Sequence, residues 1–167
     1  MERKAIGAGA MNSLLRGEIS AIESYEQALK KFAASEQAKT IRRLQEDHIA
    51  AAEILREHIH SRGGKPAKGS GAWGAFAKVV TRTAKLFGSA AALKALKEGE
   101  EQGVFEYENA LKDFDLPAAS KNLIETKLLP QTKAHIPILD ELLTVARFGS
   151  DLIPNRPAAV NFDGSSR

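Results

Sequence analysis

Apolar residues recur at intervals of three and four along most of this chain, which is the spacing of one face of an α-helix. The first such stretch runs from about Met11 to Ala34. The second begins after Ser35, whose hydroxyl we expect to cap it, and extends to about Arg62 before Gly63-Gly64 ends it. Because almost no loop separates the two helices, the pattern predicts an antiparallel hairpin.

A second hairpin is expected after a connecting segment. Residues 62–71 are rich in glycine and proline and predict irregular backbone, and residues 72–87 predict a short amphipathic crossover helix with Phe87 on its apolar face. A third helix is expected from Gly88-Ser89 to about Asp113, with Phe114 facing inward. The fourth is expected from Pro117 to about Phe148. Residues 149–167 are typical of an extended or disordered tail.

The fold class follows from this pattern and from the composition. No long β-branched run calls for a strand, and 167 residues with 43% hydrophobic content suffice for one core. We therefore predict an all-α protein with a single domain over residues 1–148. Its expected architecture is a four-helix bundle of two antiparallel hairpins, joined by a crossover at about residues 63–88.

Composition and charge exclude several classes of protein. The chain has no cysteine, which excludes disulfides and thiolate metal sites. It also lacks an apolar run long enough for a signal peptide or a membrane span, so we expect a soluble, cytoplasmic protein. A net charge of +3 is too small for a dedicated nucleic-acid binder, although residues 58–97 contain eight Lys or Arg and no Asp or Glu.

The two hairpins share a sequence repeat. The stretch from Gly17 to Tyr25 begins with Gly-Glu and ends with Tyr, and the stretch from Gly99 to Tyr107 does the same 82 residues later. This repetition indicates an internal duplication. Seven residues are close to two helical turns, so each glutamate lies on the same helix face as its tyrosine.

One ionisable residue interrupts the apolar face of each predicted helix: Glu18, His48, Glu100 and His135. An unpaired buried carboxylate is costly, so these groups need partners or a bound metal. They are our candidate metal ligands. The polar residues that we expect around them are Tyr25, Gln45, Tyr107, Gln131 and Thr132.

These features resemble the ferritin-like superfamily. The repeats, the Trp-Gly-x-Phe crossover and the Leu-Pro-Gln…His-Ile stretch are similar to a bacterial branch catalogued as a domain of unknown function. The resemblance implies a four-helix bundle with a di-iron site. In that site the first helix of each hairpin supplies a Glu, and the second supplies Glu-x-x-His.

The sequence departs from the di-iron pattern at both Glu-x-x-His positions. Gln45 and Thr132 stand where the bridging glutamates would be, which leaves two carboxylates and two imidazoles for a site that needs about six ligands. Counted from its hairpin turn, His48 also lies about one helical turn nearer the turn than Glu18. The sequence therefore predicts that the second helix must shift for these two residues to meet.

Three interpretations of the polar layer remain open: a metal-free layer, a single metal site and a catalytic di-iron site. The missing glutamates favour the first, and with it a non-catalytic accessory or stress-related protein that acts through assembly. The alternative is a protein that binds iron or another divalent metal, possibly as an oxidase, through the four candidate ligands. We expect no other cofactor, and the sequence assigns no catalytic residue.

Three contacts are possible for the basic crossover helix predicted at residues 72–87. It packs on its own bundle, covers a partner subunit or contacts an anionic membrane surface, of which the first two are the commoner arrangements. Trp73 and Phe76 favour burial, so we expect a homodimer and no nucleic-acid partner. His58 and His60, near the end of the second helix, are expected on the surface.

Overall fold

A computed structural model describes residues 7–148, which are helical apart from short connections and contain no strand. This confirms the all-α prediction, whereas the predicted tail at residues 149–167 lies outside the described residues. No helix within 7–148 is both long and apolar enough to cross a membrane. The main elements are α1 (Ala8–Phe32), α2 (Gln37–Ser61), α3 (Ala75–Lys112), α4 (Ala118–Leu123) and α5 (Leu129–Phe148), with a 3-10 turn at Gly71–Gly74 and a π-helical turn at Ile124–Leu128.

The first two helices form the predicted hairpin. Ser35 does not cap α2, because its hydroxyl donates to the carbonyl of Phe32 at the end of α1 instead. The end of α2 is as predicted: Gly63 has a φ of 78°, and the amide of Gly64 donates to the Ile59 carbonyl at 2.9 Å. This is a Schellman ending, in which glycine takes the left-handed conformation without steric cost.

Helix α3 covers most of the segment predicted as a crossover helix and the segment predicted as the third helix. They meet at Gly88, where φ is 84° and ψ is −168°, so the backbone is not helical at the predicted boundary. On either side of this kink the chain is helical. Phe87, which was expected on the apolar face of the crossover helix, is 74% exposed beside the kink. Phe114 was also expected inside and is 99% exposed, because α3 ends at Lys112 and Phe114 falls in the connection that follows.

The predicted fourth helix is not a uniform α-helix. A π-helical turn at Ile124–Leu128 separates α4 from α5, and Pro130 is the second residue of α5. Proline has no amide hydrogen, and its ring clashes with the carbonyl four residues earlier in a regular helix. We attribute the wider turn to this clash, which the sequence pattern of apolar residues does not reveal.

Helix α1 packs against both α2 and α3, while α5 packs against α3 and more lightly against α2. Ion pairs from Lys97 to Asp140 and from Glu108 to Lys133 show that α3 and α5 run antiparallel. The apolar core forms two clusters, one near the hairpin turn of α1 and α2 and one near their other ends. Along each long helix, a polar position falls between these two clusters.

Candidate functional site

The four ionisable residues predicted from the sequence meet between the two core clusters. Glu18 comes from α1, His48 from α2, Glu100 from α3 and His135 from α5, and all four are at most 5% exposed. The predicted inward orientation of these residues is thus confirmed. We call them, together with the hydroxyls of Tyr25 and Tyr107, the polar layer.

The imidazole of His48 lies between the two glutamates. Its Nδ1 is 2.7 Å from Oε2 of Glu18, and its Nε2 is 2.8 Å from Oε1 of Glu100. A neutral imidazole has only one N–H, so carboxylate oxygens beside both of its nitrogens favour the doubly protonated imidazolium. Glu18 and His48, which were expected to meet only if the second helix shifted, are in hydrogen-bond contact.

Electrostatics within the layer oppose the effect of burial. Burial alone lowers the pKa of His48, but the adjacent carboxylates of Glu100 and Glu18 outweigh it and raise that pKa to about 10. Burial alone raises the pKa of Glu100, whereas the imidazoles of His48 and His135 lower it to about 2. The layer therefore contains a buried ion pair rather than neutral groups.

The two repeated tyrosines each donate to the glutamate of the opposite repeat. The hydroxyl of Tyr25 lies 2.5 Å from Oε1 of Glu100, and the hydroxyl of Tyr107 lies 2.6 Å from Oε1 of Glu18. As residue numbers rise along α1 they fall along α3, so these two helices are antiparallel. Burial, followed by the charge of the bonded glutamate, raises the pKa of each tyrosine well above 10. Both phenols stay protonated and tie the halves of the chain together.

The second histidine of the layer reaches a residue that the sequence analysis missed. Nδ1 of His135 is 3.3 Å from Oε2 of Glu100, and its Nε2 is 3.3 Å from Oδ2 of Asp47. Asp47 is half-buried at the edge of the layer. The one feature of the sequence that could have indicated it is its position directly before His48. Consecutive side chains on a helix are rotated by about 100°, so Asp47 lies beside His48 on the side that faces α5.

Three polar residues that were expected around the glutamates form no hydrogen bond with them among the described residues. The amide of Gln45 donates to the Ile22 carbonyl, the hydroxyl of Thr132 donates to the Leu128 carbonyl, and Gln131 is half-buried. The prediction for the surrounding residues holds only for the two tyrosines.

Of the two histidines expected on the surface, only one is exposed. His60 is exposed, whereas His58 is half-buried, with its Nε2 2.8 Å from the hydroxyl of Ser120 at the other hairpin. Burial, and then the charge of Arg62, lower the pKa of His58.

The polar layer is internally complete within residues 7–148. Each buried side-chain nitrogen and oxygen in this range has a hydrogen-bond partner. Both oxygens of Glu18 and both oxygens of Glu100 accept from a tyrosine or lie beside a histidine nitrogen. A satisfied network of this kind stabilises a specific packing of helices without a ligand.

The spacing of the possible ligand atoms shows which kind of metal site these residues could form. One ligand atom each from His48, Glu100 and His135 lie within 4.8 Å of one another, which suits one divalent cation. The two bridging glutamates of a di-iron site are absent, and neither Gln45 nor Thr132 replaces them in space. The residues therefore do not fit a carboxylate-bridged iron pair.

Comparison with known proteins identifies a family but no activity. No curated protein and no solved structure is significantly similar to this chain. A sequence family described as a domain of unknown function (DUF2383) matches residues 8–113, which is more than half of the chain and includes Glu18, His48 and Glu100. This chain belongs to the DUF2383 family.

Proposed function

We propose that this protein is a ferritin-like four-helix bundle that has a metal-free polar layer and acts through assembly rather than catalytic turnover. The fold assignment is supported by the helix neighbours: α2 contacts α1, α1 contacts α3, α3 contacts α5, and α5 returns to α2. A closed ring of four helices, built from two duplicated hairpins with a crossover between them, is the arrangement of ferritin-like bundles.

The observation that carries the proposal is the position of His48. Both of its ring nitrogens face carboxylates, at 2.7 and 2.8 Å, and its pKa is raised to about 10. A metal ligand needs a free nitrogen lone pair, so an incoming cation would have to displace a strongly held proton and a hydrogen bond to Glu100. The tyrosine bonds would hold the glutamates in place without a cation.

A single divalent cation is the second candidate, and a specific observation favours it. Beyond the atoms that would face the cation, Nδ1 of His48 pairs with Glu18, and Nε2 of His135 lies near Asp47. Metal-binding histidines commonly hold a carboxylate on their second nitrogen, which fixes the ring and strengthens the ligand. In this candidate, His48, Glu100 and His135 bind the cation, and Glu18 and Asp47 orient the imidazoles.

Elemental analysis of protein purified without chelators separates these candidates. We expect substoichiometric metal and no iron-dependent oxygen consumption, because the donor set is already saturated by its own hydrogen bonds. Glu18→Ala and Glu100→Ala should alter stability without removing any oxidase activity.

One equivalent of divalent metal that disappears in His135→Ala but persists in His60→Ala would replace the metal-free layer with the single site. His60 is exposed on α2 and is a matched control for the loss of an imidazole. Two irons per chain with rapid oxygen consumption would overturn both candidates.

The assembly that we propose is a homodimer. The crossover residues support packing on their own bundle, since the Trp73 carbonyl accepts from the Ser20 hydroxyl at 2.7 Å. Large apolar side chains are nevertheless left in contact with solvent, for example Phe87 and Phe105 on α3 and Val145 and Phe148 at the end of α5. Exposed apolar groups of this size favour contact with a second copy.

We expect light scattering at micromolar concentration to give the mass of a dimer. The variant Phe148→Ser should shift the equilibrium towards monomer, whereas His60→Ala should not. A wild-type monomer across the same concentration range would contradict the proposed assembly.

A further inference from the structure

A cavity of about 70 Å³ lies beside the polar layer, between α1 and α3. Tyr25 and Tyr107 from the polar layer and Trp73 and Phe76 from the crossover segment all line it. Its volume is several times the roughly 10–15 Å³ that admits one water molecule. The space is therefore large enough to hold part of a small organic molecule, since a closed cavity that binds benzene measures about 150 Å³.

The two halves of the duplication treat this region differently. Gly17 and Gly99 are equivalent in the sequence repeat, and both line the cavity. A Cβ atom on Gly99 would lie 2.6 Å from a ring carbon of Phe76, so the ring occupies the space above that glycine. A Cβ on Gly17 would meet nothing within 4 Å. An aromatic ring therefore packs against Gly99, whereas no side chain of the described residues packs against the equivalent Gly17.

Glycine at position 17 is unfavourable for the helix that contains it. Gly17 lies in the interior of α1, where glycine destabilises a helix by roughly 0.5–1 kcal/mol relative to alanine. An alanine methyl would fit there without contact, so neither sterics nor backbone conformation requires glycine. Because the residue preserves the open volume at the expense of helix stability, a role in binding explains it better than imperfect packing.

The lining of the cavity selects an uncharged ligand. The carboxylates of Glu18 and Glu100 that border it are already bonded to Tyr25, Tyr107 and His48, and the carboxylate of Glu106 accepts from the amide of Gln102. The hydroxyls of Ser20 and Ser24 donate to backbone carbonyls. The remaining walls are formed largely by glycine, aliphatic and aromatic residues, which is typical of a site for an apolar molecule with few polar contacts.

We propose that this cavity binds a small neutral aromatic molecule, held above Gly17 as the ring of Phe76 is held above Gly99. The inference goes beyond the proposed function and does not depend on whether the polar layer holds a metal. Trp73, the single tryptophan of the chain, lines the cavity and provides a direct spectroscopic reporter.

Titration of the full-length, chelator-treated protein with fluorobenzene tests the proposal. Saturable changes in the ¹⁹F signal of the ligand and in Trp73 fluorescence are expected. Gly17→Leu fills the open volume and should abolish both changes. Gly9→Leu is the matched control, because Gly9 is exposed on the same helix and has nothing within 4 Å of its Cβ position, so it should bind like the wild type.

If Gly17→Leu does not fold, as judged by circular dichroism, Gly17→Ala replaces it and should weaken binding while raising thermal stability. The proposal is overturned if the wild type shows no saturable response up to the solubility limit of fluorobenzene. It is equally overturned if the variants at position 17 that fold bind as tightly as the Gly9→Leu control.

Discussion

Replacing His48 by alanine is expected to lower the free energy of unfolding by about 3–5 kcal/mol. The imidazole of His48 is the only group within 3 Å of both Glu18 and Glu100 in the part of the chain that the structure describes. Without it, two buried carboxylates would face each other with only their tyrosine bonds and the more distant His135. Breaking a buried ion pair from one side costs more than the pair itself contributes, because the remaining charge is left uncompensated.

Urea denaturation followed by circular dichroism measures this loss. His60→Ala removes an exposed imidazole from the same helix and should change the free energy of unfolding by less than about 0.5 kcal/mol. His48→Gln, which keeps a hydrogen-bond donor but not the charge, should fall between the two. A loss of under 1 kcal/mol in His48→Ala would mean that the ion pair does not hold the layer together.

The stability of the metal-free protein is expected to be greatest between about pH 4.5 and 6.5. The pKa of His48 rises from 6.5 to about 10 on folding, because Glu100 and Glu18 outweigh the effect of burial. Its contribution to stability is therefore complete below pH 6.5 and is lost as the pH rises towards 10. The pKa of Glu100 falls from 4.5 to about 2, so its contribution is present above pH 4.5 and is lost as the pH falls towards 2.

Between pH 7 and 9, the free energy of unfolding should fall by roughly 1 kcal/mol per pH unit, since a single proton is worth at most about 1.4 kcal/mol per unit. The tyrosines facing the layer do not titrate in this range, because burial and the glutamates raise the pKa of both phenols well above 10. Urea denaturation at a series of pH values measures the slope, and His48→Gln should flatten it.

A protein whose layer bound a divalent cation would behave in the opposite way, since protons compete with the metal and stability would rise with pH. The alkaline slope therefore distinguishes the two candidate functions independently of elemental analysis. A stability maximum above pH 8 in the wild type would contradict the metal-free layer.

Much of this molecule could be predicted from its sequence. The three-and-four spacing of apolar residues and the glycines at positions 63 and 88 depend on local backbone preferences, which act through neighbours in the chain. They placed α1, α2 and the kink in α3 close to where the structure has them. The repeat around Glu18 and Glu100, together with the helical period, also predicted that these carboxylates and the two tyrosines point inward.

Only the tertiary structure decided how those residues meet. Each tyrosine bonds the glutamate of the opposite repeat because α1 and α3 pack antiparallel. This packing joins one pair of residues separated by 75 positions in the sequence and another pair separated by 89. The contact of Asp47 with His135, and the cavity that Phe76 fills over Gly99 but leaves open over Gly17, likewise arise between elements distant in the chain. Helical periodicity gives the face on which a side chain lies, but side-chain length and the relative positions of packed helices determine what it touches.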